Sequence, residues 1–179
     1  MLLQRENAQV LMIDVQERLL PAMAEAAAVT VNGTRLLEAA RILAVPVLVS
    51  EQYPQGLGRT VPDLARHAPA NAVHEKIEFS CYANPALRQA LSGAGRQTIL
   101  FGIEAHVCVL QTVLSLLDAG RRVYVVRDAI GSRREESKEA AIRRMERHGA
   151  DIVTTEMVVF EWLGTAEHPR FREAAALIK

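Results

Sequence analysis

Short aliphatic runs alternating with longer amphipathic stretches constrain this chain more than any other feature. The runs cover residues 8–13, 45–49, 98–101, 123–126 and 152–153, with a weaker one at 72–74. Most are apolar throughout rather than at every second position, the pattern of strands covered on both faces of a parallel sheet. Between them lie helical stretches at residues 34–44, 84–92, 105–119 and 134–148. Leu36, Leu37, Ala40 and Leu43 share one face of the first at helical spacing. Asn84-Pro85 reads as a cap followed by a proline at the first helical position, and Gly120 and Gly149 close the next two helices. Repeated strand–helix alternation predicts an open, mostly parallel sheet with helices on both faces, organised as one domain over residues 1–179. The longest irregular stretch, residues 51–69, contains Pro54, Gly56, Gly58, Pro62 and Pro69. A loop of that length in a compact domain suits a lid or a pocket wall.

Composition narrows the function classes. The 21 Lys and Arg balance 21 Asp and Glu, so the basic excess expected of a nucleic-acid binder is missing. Half of the residues are hydrophobic but only 4% are aromatic, so the core is aliphatic. No apolar run reaches the ~18 residues of a membrane span, and no secretory signal opens the chain. Cys81 and Cys108 are too few for a disulfide framework. A cytoplasmic protein with free thiols, acting on a small molecule rather than on nucleic acid or membrane, is the expectation.

Ligands of open parallel sheets bind at the carboxyl ends of the strands. There the first run ends in Asp14, which reads equally as a helix cap or a site residue. Lys76 follows the weak third run and taken alone reads as a solvated charge. Cys108 falls near the first turn of the helix after the fourth run, where free N–H groups favour a thiolate; a buried cysteine packed as a small apolar residue is the competing reading. Several chemistries fail on spacing. The turn after Asp14 has no glycine-rich dinucleotide fingerprint, and no G-x-S-x-G elbow occurs. No second Asp stands two residues after Asp14, and neither cysteine has an arginine six residues later. The five histidines form no H-x-x-x-H pair and no D-x-H, so no metal is expected.

Taken jointly, the pattern is more specific. An Asp ends the first strand, Lys76 has Phe79-Ser80 close behind, and Gly102-Ile103-Glu104-Ala105-His106-Val107-Cys108 opens the helix after the fourth. With Ser50-Glu51-Gln52-Tyr53-Pro54-Gln55-Gly56-Leu57-Gly58, the continuation Val109-Leu110-Gln111-Thr112 and Thr155-Glu156-Met157-Val158, the chain resembles the isochorismatase-like cysteine hydrolases, in their small isochorismatase-domain branch. The resemblance runs over essentially the whole chain. It implies a Rossmann-like three-layer α/β/α sandwich on a six-stranded parallel sheet and an Asp14–Lys76–Cys108 triad. It also implies a cis peptide between Ile103 and Glu104, with the Glu104 and Cys108 amides forming an oxyanion hole. Where nicotinamidases of this family carry an Asp-x-His metal motif, this chain has Glu51-Gln52-Tyr53-Pro54, which disfavours zinc and nicotinamide; no cofactor is implied. Isochorismatases proper lack the cysteine, so Cys108 favours hydrolysis of a small amide-type C–N bond through a thioester. Ester or enol-ether hydrolysis and a non-catalytic binding or scaffold domain are the alternatives. Relatives commonly form dimers or larger homo-oligomers, and residues 157–163 and 171–178 offer apolar surface for that.

The chemistry sets a physical requirement. A free thiol titrates near ~8.5 and a free Asp near ~3.9, a gap worth roughly 6 kcal/mol against proton transfer. Burial of the acid, and Lys76 and the helix N-terminus acting on the thiol, are expected to narrow it. Sequence proximity nominates Gln16, Leu19, Leu20, Gln52, Tyr53, Phe79 and His106 as pocket walls. His106, two residues from Cys108, would not share its face on a regular helix. Cys81 reads as a bystander thiol.

Overall fold

A computed structural model of the chain describes residues 1–93 and 97–179. The strands are β1 (Ala8–Ile13), β2 (Val47–Gln52), β3 (Val73–Lys76), β4 (Gln97–Ile103), β5 (Arg122–Gly131) and β6 (Asp151–Val153). All pair in parallel, in the order β3-β2-β1-β4-β5-β6. The helices are α1 (Ala26–Ile42), two single turns α2 (Pro54–Leu57) and α3 (Pro62–Ala65), then α4 (Pro85–Gly93), α5 (Leu110–Asp118), α6 (Glu135–Arg147), α7 (Thr155–Leu163) and α8 (Phe171–Ala176). The result is a three-layer α/β/α fold on a six-stranded parallel sheet.

Continuous apolar runs make this sheet because each strand feeds two cores. From β1, Val10 and Met12 join a cluster with Leu36, Leu37 and Trp162, on the face covered by α1 and α7. Leu11 and Ile13 point the other way, to Leu87, Val113 and Ile142 on the side of α4, α5 and α6. All six residues of β1 and all seven of β4 are buried. The two strands approach closely enough that a Cβ on Gly102, at φ +125°, would lie 2.1 Å from the Ile13 carbonyl oxygen.

Boundaries depart from the sequence reading where tertiary contacts prevail over local pattern. Helix α1 starts eight residues before the predicted 34, because the alanine-rich stretch Ala26-Ala27-Ala28 has good helix propensity but little apolar periodicity. Strand β2 runs to Gln52 rather than stopping at 49, since Ser50, Glu51 and Gln52 pair with β3. Helices α7 and α8 lie where only apolar surface was foreseen; α7 is apolar around much of its girth, so it shows little helical period. Asn84 does cap α4, its Oδ1 accepting from the N–H groups of Ala86 and Leu87 at 3.1 Å each.

Residues 51–69 are no free lid. They carry α2 and α3 and are stitched to the segment after β1: Glu17 and Arg18 N–H donate to the carbonyls of Arg59 and Leu57, and Val61 N–H donates to Val15. The buried Glu51 carboxylate holds the same stretch, accepting from Thr60 N–H (2.7 Å), Thr60 Oγ1 (2.8 Å) and Arg59 (2.9 Å).

Candidate active site

The order of the sheet reverses direction around β1 and β4, and their carboxyl ends form the crevice where parallel sheets bind ligands. Asp14 stands there at the first residue after β1, held at φ +53°. Its side chain caps no helix. Oδ2 accepts from Lys76 Nζ at 2.7 Å and Oδ1 accepts from Ser50 Oγ at 2.7 Å. Both members of the Asp14–Lys76 pair have side chains with 0% exposure. Lys76, at the end of β3, is therefore not a surface charge. Its ammonium also donates to Gln52 Oε1 (2.7 Å) and to the carbonyls of Glu78 (3.1 Å) and Phe79 (3.2 Å). Burial opposes its charge, but Asp14 more than compensates and holds the ammonium above the ordinary lysine range.

Cys108 lies not in a regular first turn but in a π-helical turn, Ala105–Val109, that leads into α5. The wide turn is closed by Val109 N–H donating to Glu104 O at 3.2 Å. Such turns are often found at functional sites. Immediately before it the Ile103–Glu104 peptide is cis, and the Glu104 N–H finds no acceptor among the described residues.

Cys108 is buried, with 5% of the residue exposed, and its thiol lies within the field of Asp14. Its titration corrects the sequence expectation. Burial first, then the Asp14 carboxylate, push it well above the ordinary thiol range, and Lys76 only partly offsets them. The resting site thus holds a protonated thiol beside an ion pair. Cys81 is the surprise neighbour. It is fully buried, its thiol donates to Ser50 Oγ at 3.4 Å, and burial pushes it up to about 11.

Pocket-wall expectations fare unevenly. Gln16 is fully buried and structural: its Nε2 donates to the carbonyls of Gln52 and Gly58, and its Oε1 accepts from Gln52 N–H. Leu20 is buried in the core, and Leu19 packs against it. Proximity in sequence does not say which way a side chain turns, and both Gln16 and Leu20 turn inward. Gln52 touches the site through Lys76. Tyr53 and Phe79 are about half exposed on its rim, at 51% and 53%. His106 turns away to pair with Ser132 Oγ at 3.0 Å, beside a cavity of about 330 Å³ lined also by Arg133, Arg134 and Ser137. A smaller cavity of about 230 Å³ lies on the Lys76 side, between Pro54, Gln55 and Asn84. Sequence reasoning missed Ser50 and Thr112, both fully buried polar residues; a serine at the end of a strand was the one available signal for the first. Among the described residues, no group of three or more His, Cys, Asp or Glu is arranged to hold a metal ion.

Residues 8–157 match the isochorismatase domain model, and the chain belongs to the isochorismatase family. It is 42% identical over 168 residues to isochorismatase domain-containing protein 1 of Danio rerio, covering 93% of this chain and 59% of that protein. The chain therefore spans well under two thirds of that relative. A Caenorhabditis elegans structure described as MAR1 ribonuclease superposes with a TM-score of 0.94 at 37% identity, covering 99% of this chain and 92% of the other. The YcaC gene product of Escherichia coli, described as an octameric hydrolase of unknown specificity, gives a TM-score of 0.89 at 26% identity, covering 99% of this chain and 87% of that one.

Proposed function

We infer that this chain is a cysteine hydrolase in which Asp14, Lys76 and Cys108 cleave a small amide-type C–N bond through a thioester. The observation that carries this reading is the fully buried Asp14–Lys76 pair at the carboxyl end of the central strands, whose charges act on the Cys108 thiol. Asp14 takes the thiol proton as Cys108 attacks the carbonyl carbon. The amides of Glu104 and Cys108 receive the oxyanion. Asp14 then gives the proton to the leaving amine, afterwards draws one from the water that attacks the thioester, and returns it to the Cys108 sulfur as the acid departs.

Lys76 makes the first step feasible. Before transfer the negative charge sits on Asp14; after it, on sulfur; in both states the same buried ammonium balances it. The transfer moves a charge within the field of a fixed cation and creates none. Homo-oligomerisation is part of the reading: Met157 and Phe160 are 44% and 42% exposed, beside a cavity of about 510 Å³ lined by Phe171 and Ile178.

Ammonia release from a panel of small primary amides, with Cys108→Ala as control, tests the activity. An acyl adduct on Cys108 seen by intact mass supports the thioester. Absence of both, with Cys108 alkylating like a free thiol, sinks the reading. Similarity to the C. elegans protein motivates RNA cleavage as a second reading, against which the zero net charge weighs. Cleavage of single-stranded RNA that persists in Cys108→Ala would favour it.

A further inference from the structure

The triad does not account for Ser50. Its hydroxyl has one proton and two lone pairs. The proton goes to Asp14 Oδ1 at 2.7 Å, and the carboxylate has none to return. The remaining contact, with Cys81 Sγ at 3.4 Å, must then run from thiol to hydroxyl. Cys81 is suited to that task, because burial keeps its thiol protonated far beyond neutral pH. The chain of bonds continues through the backbone: Cys81 N–H donates to Thr112 Oγ1 at 2.9 Å, and Thr112 Oγ1 donates to the Cys108 carbonyl at 2.7 Å. Strand β2, the segment at Cys81 and the turn bearing Cys108 are thereby tied together around Asp14.

Lys76 alone satisfies the charge of Asp14 but grips only Oδ2, leaving the carboxyl plane free to swing about that contact. A second donor on Oδ1, from another strand, removes this freedom. We propose that Ser50 is a positioning residue that fixes the plane of the Asp14 carboxylate against Cys108, with the Cys81 thiol as its own anchoring donor. The proposal rests on reading Asp14 as the base for Cys108.

The test needs no substrate. Initial rates of Cys108 alkylation by iodoacetamide are measured across pH, with peptide mass mapping to separate Cys108 from Cys81. Ser50→Ala is expected to slow Cys108 about 10-fold, since small misplacements of a reacting group are costly. Its acid limb moves to higher pH, because a donor that favours the charged carboxylate is gone. Ser50→Thr restores both rate and limb. Cys81→Ala, which leaves Ser50 in place but unanchored, is expected to slow Cys108 about 3-fold, a minor part of the same effect. A wild-type rate and profile in Ser50→Ala overturns the positioning role and leaves the base intact. A slowed Ser50→Ala whose acid limb stays put, or which Thr does not restore, also overturns it in favour of packing. In a separate measurement, ammonia release from small primary amides that persists at the wild-type rate in both Asp14→Asn and Cys108→Ala instead sinks the triad reading itself.

Discussion

Breaking the Asp14–Lys76 pair from one side should cost far more than removing both charges. In Lys76→Met the apolar stem stays and the ammonium disappears. Four acceptors lose their donor: Asp14 Oδ2, Gln52 Oε1 and the carbonyls of Glu78 and Phe79. Glu78 and Phe79 are exposed, so water replaces the donor there at small cost. The Asp14 carboxylate, with 0% side-chain exposure, cannot be rehydrated and keeps neutral partners alone, the Ser50 hydroxyl among them. An unpaired buried charge of this kind costs about 3–5 kcal/mol. For a chain of this size that lowers the melting temperature by roughly 8–16 °C. Asp14→Asn should cost a similar amount, now by orphaning the ammonium; asparagine suits the positive φ of Asp14, so backbone strain does not confuse the comparison. The double variant Asp14→Asn/Lys76→Met holds no buried charge at this site and should return to within ~1–2 kcal/mol of wild type. Urea unfolding followed by circular dichroism at neutral pH measures all four corners of the cycle. Single variants that each cost under ~1 kcal/mol and simply add would refute the claim that the pair is buried and coupled.

Other consequences are open to direct measurement. Cys81 and Lys76 have folded pKa values raised above their unfolded ones, so their stabilisation is complete below the unfolded values and lost as pH climbs through the folded ones. Alkaline unfolding should begin above the ordinary thiol value of 9.0, and Cys81→Ser should remove about 3 kcal/mol of that alkaline loss; a stability–pH curve identical to wild type would contradict this. Gly102→Ala should yield no soluble folded protein, since its Cβ would collide with the Ile13 backbone at 2.1 Å; a normal melting temperature would show that β1 and β4 are packed otherwise. For Glu51, burial favours the neutral acid, but the Thr60 N–H, Arg59 and Thr60 hydroxyl donors outweigh it and hold the carboxyl below its usual range. Its stabilisation is present above the unfolded carboxyl value and lost as pH falls through the folded one, so hydrogen-exchange protection factors in residues 57–61, taken relative to the intrinsic rate at each pH, should fall on acidification. Glu51→Gln should show that lower protection already at neutral pH, with the acid response gone.

Sequence alone specified the parallel sheet, half of its helices (α1, α4, α5 and α6), the strand ends at Asp14 and Lys76 and the turn region that carries Cys108. Those features are local: an apolar run with no alternation tells of two covered faces wherever the rest of the chain lies. The motif around Glu104 and Cys108 likewise survives in linear order. Tertiary structure decided what those residues experience. That Lys76 is buried rather than solvated depends on Asp14, 62 positions away, reaching its ammonium. Ser50, Cys81 and Thr112 become one hydrogen-bonded chain only because β2 and α5 meet around Asp14. The loop at residues 51–69 looked free by composition and is pinned by Gln16 and Glu51, whose buried amide and carboxylate carry no mark of it in the sequence. The direction of the thiol's shift also lay beyond the sequence, because it reports a balance of burial, one anion and one cation whose distances only the folded chain sets.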